Sequence, residues 1–342
     1  MILVTGGTGL VGSHLIWHLL QKGEKVRAIH RFGSHLEQVI EVFGYYDNPV
    51  GEKKATPVEL FGKVEWFEAD LMDADTMAEA FDGVEKVYHC AAIVSFDPEE
   101  RQKMITRNIE TTATIVNLCL EHNVKKLCHV SSVSALGSRY DGEPVSETDL
   151  WKPSRKRTSY SISKFQSEME VWRGINEGLK AVIVNPSIIL GPGNWNRGTA
   201  GFFTRIKSGL DYYTEGMTGF VDVRDVCQCM IALMDSEIDE QRFILNGENL
   251  PYRELFNQIA DSIGGKRPSK HATRRLAELG WRADWLRSKL TFSKPMLTRE
   301  TARSGRGSTR YSTRKIEEAL GHEFIPISET IRWTASKFLD RK

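Results

Sequence analysis

An apolar run at the start of the chain, Met1 to Val4, passes through Thr5-Gly6-Gly7-Thr8-Gly9 into Leu10-Val11-Gly12-Ser13-His14-Leu15, where apolar positions begin to recur at helical spacing. Five further short runs read as strands: Lys25 to His30, Val64 to Ala69, Val84 to Cys90, Lys126 to Ser131 and Ala181 to Asn185. Helical patterns fill the gaps, over Ser13 to Lys22, Asp75 to Phe81, Arg107 to His122 and Ser159 to Gly174. This alternation predicts an α/β fold, a doubly wound parallel sheet with helices on both faces. The rhythm breaks between the second and third strands, where Val42 to Phe61, with Tyr45-Tyr46, Asn48-Pro49 and Gly51, reads as an irregular loop or lid. Near the other end Leu276, Leu279, Leu286 and Leu290, with Trp281 and Trp285, recur at helical spacing among arginines.

The first strand, turn and helix are what a dinucleotide needs, since helix N-terminal N–H groups face a pyrophosphate across the turn. Gly6 suits the tight turn, Gly9 admits the phosphates close to the backbone, and Gly12 lets the helix pack on the strand. About twenty residues on, where NAD sites carry an acid for the ribose hydroxyls, the second strand ends in His30-Arg31. Arg31 can pair with a 2′-phosphate, so NADP(H) is favoured over NAD(H). Asp70 ends the third strand, placed for the adenine amino group, and Ala91-Ala92 after the fourth are small enough for close cofactor approach. The 42–61 insertion then belongs near the adenosine end.

Composition narrows the class. The chain has 342 residues, 40% hydrophobic and 27% charged, enough for one large domain or two modest ones. Its five cysteines form no C-x-x-C pair, and Cys227 and Cys229 point to different faces of a helix, so all read as structural thiols. With no basic leader before the first strand and no long apolar stretch, the expectation is a cytoplasmic protein without a transmembrane segment. A net charge of +1 hides an asymmetry: from Lys266 to Lys315 fifteen basic residues face Glu278, Asp284 and Glu300, giving +12 and leaving the remainder near −11. That window suits an anionic substrate or a phospholipid surface, with peripheral membrane contact through 273–297, or else a solvated face or a core-facing helix. Nucleic acid is not expected.

Chemistry enters with Tyr160-Ser161-Ile162-Ser163-Lys164. A tyrosine and a lysine four apart share one helix face, and an ammonium beside a phenol should bring its pKa of about 10 toward the working range. Ser131-Ser132 ends the fifth strand at the carboxyl edge of the sheet, where ligands bind in open α/β folds. A hydroxyl there suits a substrate oxygen.

Together these residues resemble the extended short-chain dehydrogenase/reductases, within the NAD-dependent epimerase/dehydratase family. The match runs through Thr5 to Gly12, Asp70-Leu71, His89-Cys90-Ala91-Ala92, Asn108, Ser131-Ser132, Tyr160 to Lys164, Asn185-Pro186-Ser187, Gly191-Pro192 and Phe220 to Val226. Val26 to Arg31, Leu297 to Glu300, Ser312 to Lys315 and Ala319-Leu320-Gly321 resemble the dihydroflavonol-4-reductase-like branch. The resemblance implies a Rossmann sheet with a smaller C-terminal substrate domain, and reduction of a small-molecule carbonyl or oxidation of the alcohol. Tyr160 is then the acid/base, Lys164 the ribose anchor, Ser132 (with Ser131 as fallback) the substrate-oxygen donor, and Asn108 a support for a water relay behind Lys164. The cofactor would be held by Thr5, Gly6, Gly9, Leu10, Val11, Gly12, Arg31, Asp70, Leu71, Ala91, Ala92, Tyr160 and Lys164. Pro186-Ser187-Ile188 would complete the set against the nicotinamide carboxamide. Sugar dehydratases carry an Asp-Glu pair after the active Ser/Thr, whereas Val133 and Ser134 stand here. An NAD-dependent nucleotide-sugar epimerase and a non-catalytic NADP(H)-binding sensor or scaffold are the alternatives. Residues 1–186 and 219–246 would form the cofactor domain, with Phe220-Val221-Asp222 returning to the sheet edge, and 187–218 and 247–342 the substrate domain. The Trp195 loop and the aromatics Phe202, Phe203, Tyr212 and Tyr213 suit either its pocket or its core. A homodimer through the Asn108–His122 and Tyr160–Gly174 helices is usual in the family.

Overall fold

A computed structural model describes residues 1–46, 55–95, 97–139, 141–154, 157–291 and 298–341. The first half alternates strand and helix: β1 (Ile2–Thr5), α1 (Leu10–Gln21), β2 (Val26–His30), α2 (Glu37–Phe43), α3 (Pro57–Phe61), β3 (Glu65–Glu68), α4 (Ala74–Ala80), β4 (Lys86–His89), α5 (Arg101–Glu121), β5 (Lys126–Val130), α6 (Ser159–Asn176) and β6 (Ala181–Pro186). The second half holds β7 (Ile188–Leu190), α7 (Gly201–Lys207), β8 (Tyr212–Tyr213), β9 (Met217–Asp222), α8 (Val223–Asp235), β10 (Gln241–Leu245), β11 (Glu248–Pro251), α9 (Tyr252–Ser262), β12 (Lys270–His271), α10 (Arg274–Thr291), α11 (Arg299–Ser304), α12 (Arg314–Leu320) and α13 (Ile327–Leu339).

Seven strands, all parallel, form the main sheet in the order β10-β6-β5-β4-β1-β2-β3. Alternate side chains feed opposite cores, as the two-residue repeat of a strand requires. Ile2, Val4, Val182 and Val184 enter one cluster with α1 and α8, while Leu3, Ala181 and Ile183 enter the other with α4, α5 and α6. The order reverses between β1 and β4, and that switch point is where an open α/β sheet opens a ligand crevice.

Two expectations are corrected. Phe220-Val221-Asp222 lies in β9, which pairs with β7 and β11 in a separate three-stranded sheet; β10 is the strand that rejoins the main sheet, beside β6. The chain leaves the main sheet at Ser187, between β6 and β7, and Ser187 N still donates to Leu245 O at 2.9 Å. The 42–61 insertion is not irregular where it is described. Thr56 and Glu59 form a reciprocal capping box that starts α3, and Tyr46 stacks on Trp17 at 3.7 Å with its hydroxyl 2.6 Å from His14 Nδ1. Asn48-Pro49 and Gly51 fall outside the described residues.

Candidate active site

The glycine turn fits as anticipated and adds a partner. Gly6 has φ +69°, and a Cβ there would stand 2.7 Å from the Ala91 nitrogen, so the turn and the end of β4 touch backbone to backbone. At Gly12 a Cβ would overlap the Gly6 carbonyl oxygen, which fixes α1 directly behind the turn. Leu10 and Val11 open α1, and no acidic residue stands in its first turn, leaving its N-terminus suited to an anion. Below the turn runs a buried chain of hydrogen bonds. Thr112 Oγ1 donates to Asn108 O at 2.8 Å, so it accepts from His89 Nε2 at 3.2 Å, and His89 Nδ1 is left to accept from Thr5 Oγ1 at 2.7 Å. Burial pulls the His89 pKa down to about 3, keeping the ring neutral in that tautomer. The sequence offered His89 only as part of a motif at the end of the fourth strand.

Beyond the ends of β2 and β3 lies a cleft of about 970 Å³ whose lining includes Thr8, Arg31, Ser34, His35, Asp70 and Arg197. Arg31 follows the last residue of β2 and lines this cleft. Arg197, with Asn194 and Asn196, reaches the same cleft from beyond β7, a contribution the sequence did not signal. Asp70 lines the cleft and accepts Met72 N at 3.1 Å, while Leu71 turns inward and is buried. None of the described residues of the 42–61 insertion lines this cleft.

Ser132, Tyr160 and Lys164 meet at the carboxyl end of β5. Thr158 caps α6 by accepting from Ser161 N, and Glu300 of α11 accepts from Ser159 N and Oγ, which fixes the first turn carrying Tyr160. Ser132 neighbours the Tyr160 phenol and pulls its pKa down. The Ser132 oxygen accepts from Ser134 N at 3.2 Å and Ser134 Oγ at 3.0 Å, which leaves its own proton to donate. Lys164 is buried, and its Nζ donates to Val130 O at 2.8 Å. Burial brings its pKa down to about 8, against the pull of Cys90 and Glu168. The Tyr160 phenol is not brought down toward the working range: burial pushes it up, against the pull of Ser132.

A buried carboxylate engages one of the two serines. Glu168, one turn beyond Lys164, accepts from Ser131 Oγ at 2.6 Å, Asn185 Nδ2 at 2.8 Å, Trp172 Nε1 at 3.2 Å and Arg242 Nη1 at 3.0 Å. Ser131 is thereby tied to the interior, and Ser132 alone faces Tyr160. This hub was not foreseen, because Arg242 reaches Glu168 only once β10 lies against β6. Asn108 is likewise engaged: Nδ2 donates to Ile93 O at 2.9 Å and Ser163 Oγ at 2.8 Å, and Oδ1 accepts from Ile93 N at 2.8 Å. It clamps the loop after β4 to the residue preceding Lys164.

The residues fit a nicotinamide dinucleotide. The Gly6 turn is a cradle that a side chain would fill, with Gly9 and Ala91 bordering it. Ser187 Oγ, between Pro186 and Ile188, is buried and finds no protein partner among the described residues, a polar atom suited to a carboxamide. Among the described residues no group of three or more His, Cys, Asp or Glu could hold a metal, and all five cysteines are free thiols. The aromatics divide. Trp195 and Phe203 are buried in the core around Phe338, Phe202 packs at its margin, Tyr213 is buried beneath Arg253, and Tyr212 is exposed. The 276–290 leucines do not face a core: all four are exposed on α10. No helix among the described residues is long and apolar enough to cross a membrane.

Comparison with known proteins agrees with this architecture. The chain is 29% identical to "Sterol demethylase protein B" of Methylococcus capsulatus over 275 residues, covering 78% of this chain and 75% of that protein. It is 25% identical to a "Putative dihydroflavonol 4-reductase" of Synechocystis, covering 76% of this chain and 72% of that one. The crystal structure of gox2253 superposes with a TM-score of 0.80 at 28% identity, covering 99% and 98% of the two chains. The NAD dependent epimerase/dehydratase family model matches residues 2–246. With its parallel sheet, glycine turn and Ser132-Tyr160-Lys164 cluster, this chain belongs to that family, as an NAD(P)-dependent enzyme of the extended short-chain dehydrogenase/reductase type.

Proposed function

We propose that the protein is an NADP(H)-dependent reductase of a carbonyl on a small organic molecule, working also in reverse on the alcohol. The observation that carries this reading is Tyr160 beside Ser132 at the sheet edge, with Lys164 buried one turn behind and bonded to the end of β5. When bound, the cofactor supplies the hydride. The chain's own residues handle the proton. Because burial raises the phenol, Tyr160 is neutral at pH 7 and holds the proton that a reduced carbonyl oxygen must receive. Ser132 donates to the phenol oxygen while the phenol proton is in place, and turns to the substrate oxygen as charge develops there. Lys164, cationic below about pH 8, is the anchor for ribose hydroxyls, and Asn108 positions it through Ser163. No step requires the water relay expected of Asn108.

Arg31 and Arg197 at the adenosine end support a 2′-phosphate and hence NADPH. The likeness to a protein named for sterol demethylation favours a substrate carbonyl on an apolar skeleton. Titration with NADPH and NADH, followed by a panel of ketones and aldehydes monitored by NADPH absorbance, tests the reading. The expected result is tighter NADPH binding and cofactor consumption with apolar ketones. A strong NADH preference in protein that purifies with NAD bound points instead to the nucleotide-sugar epimerase, and binding without turnover to a sensor.

A further inference from the structure

Helix α10 reverses the usual arrangement of an amphipathic helix. Its buried residues are Ala277 and Ser288, while Leu276, Leu279, Leu286 and Leu290 are exposed at 40%, 65%, 54% and 72%. With the exposed Ala283 these leucines fall at alternating intervals of three and four, which is the spacing of one continuous stripe. On the opposite side from Ala277 and Ser288, the stripe runs for about 21 Å at 1.5 Å per residue. Such spacing ordinarily marks a helix that meets a second helix.

The flanks argue against a second copy. Arg275, Arg282 and Lys289 border the stripe on one side, seven residues apart, and Arg287 borders it on the other. In a helix pair these are the positions that face each other across the seam, and here either orientation would set cation against cation. Arg282 pairs with Glu278 at 3.2 Å, Arg287 with Asp284 at 2.7 Å and Lys289 with Glu99 at 2.5 Å. These pairs are solvent-exposed and worth little each, so they leave the cations available to an outside anion. The surrounding 266–315 window keeps its net charge of +12.

We propose that α10 docks on the surface of an anionic phospholipid bilayer, its leucines entering the acyl boundary and its flanking cations meeting the headgroups. The docked face adjoins the site. Lys289 is tied to Glu99 beyond β4, and α11, which packs on α10, supplies Glu300 to the residue preceding Tyr160. The docking inference stands without the proposed chemistry, and its test uses neither cofactor nor substrate.

Co-sedimentation of the full chain with vesicles of phosphatidylcholine and phosphatidylglycerol, against phosphatidylcholine alone, decides it. Binding is expected to the anionic vesicles only, to weaken with salt, and to fall at least about tenfold in the double variant Leu279→Ser, Leu286→Ser. Circular dichroism and melting of the variant should match the parent, since both side chains face solvent. Absence of binding to the anionic vesicles, or equal binding by the variant, overturns the proposal. So does a self-association of the parent in analytical ultracentrifugation that the variant abolishes, which would make a second copy the occupant.

Discussion

Glu168 and helix α10 break the same rule in opposite directions. One is a carboxylate hidden in the interior, its side chain fully shielded from solvent; the other is a row of leucines left in water. The interior charge persists because four donors converge on it from α6, β5, β6 and β10, and what it secures is the placement of Ser131, leaving Ser132 for Tyr160. The exposed leucines have no such partners among the described residues. An exposed apolar stripe of that extent marks a contact surface rather than a packing fault. Polar groups inside build the chemistry; apolar groups outside indicate where the molecule meets something else.

The comparison can be broken most forcefully at Glu168. Replacing it with Ala leaves the part-buried Arg242 without its carboxylate and three further donors without an acceptor, and chemical denaturation should show a loss of about 2–3 kcal/mol. Turnover should fall with it, because Ser131 is released. Next comes pH. Tyr160 stays protonated through neutrality, so the group that titrates near the working range is Lys164, whose charge is present below about pH 8 and lost above it. The kcat/KM for reduction should therefore be level toward acid and decline as pH rises through 8, and Lys164→Met should remove that inflection. At the adenosine end, Arg31→Ala should weaken NADPH by about tenfold, the worth of one charge-assisted contact, while leaving NADH nearly unchanged in the same fluorescence titration. Smallest of all, Leu279→Ser with Leu286→Ser should shift stability by no more than about 0.5 kcal/mol per site. A larger loss would mean that α10 is core after all.

The fold was largely legible because its signals are local. The strand-turn-helix at residues 1–21 and the alternation after it follow from periodicity and from glycines that sit where a Cβ has no room. Tyr160 and Lys164 were legible for the same reason, being a pair on one helix. What escaped depends on distant segments coming together. Arg242 lies 74 residues from Glu168, Arg197 reaches the cleft from beyond β7, and the Lys164 ammonium donates to Val130 O, 34 residues away. Helical spacing revealed the apolar face of α10 but carried no information about what covers it. The misplacement of Phe220-Val221-Asp222 has a similar origin, since an apolar run announces a strand without naming its sheet.

The most direct measurement is the rate of NADPH oxidation by Tyr160→Phe against the parent, with a carbonyl substrate from the panel and cofactor saturating. The variant should bind NADPH and melt like the parent yet turn over about 10²–10⁴-fold more slowly, the range for losing a positioned proton donor. Unchanged turnover would contradict the account at its centre, because the phenol would then not be the source of the proton.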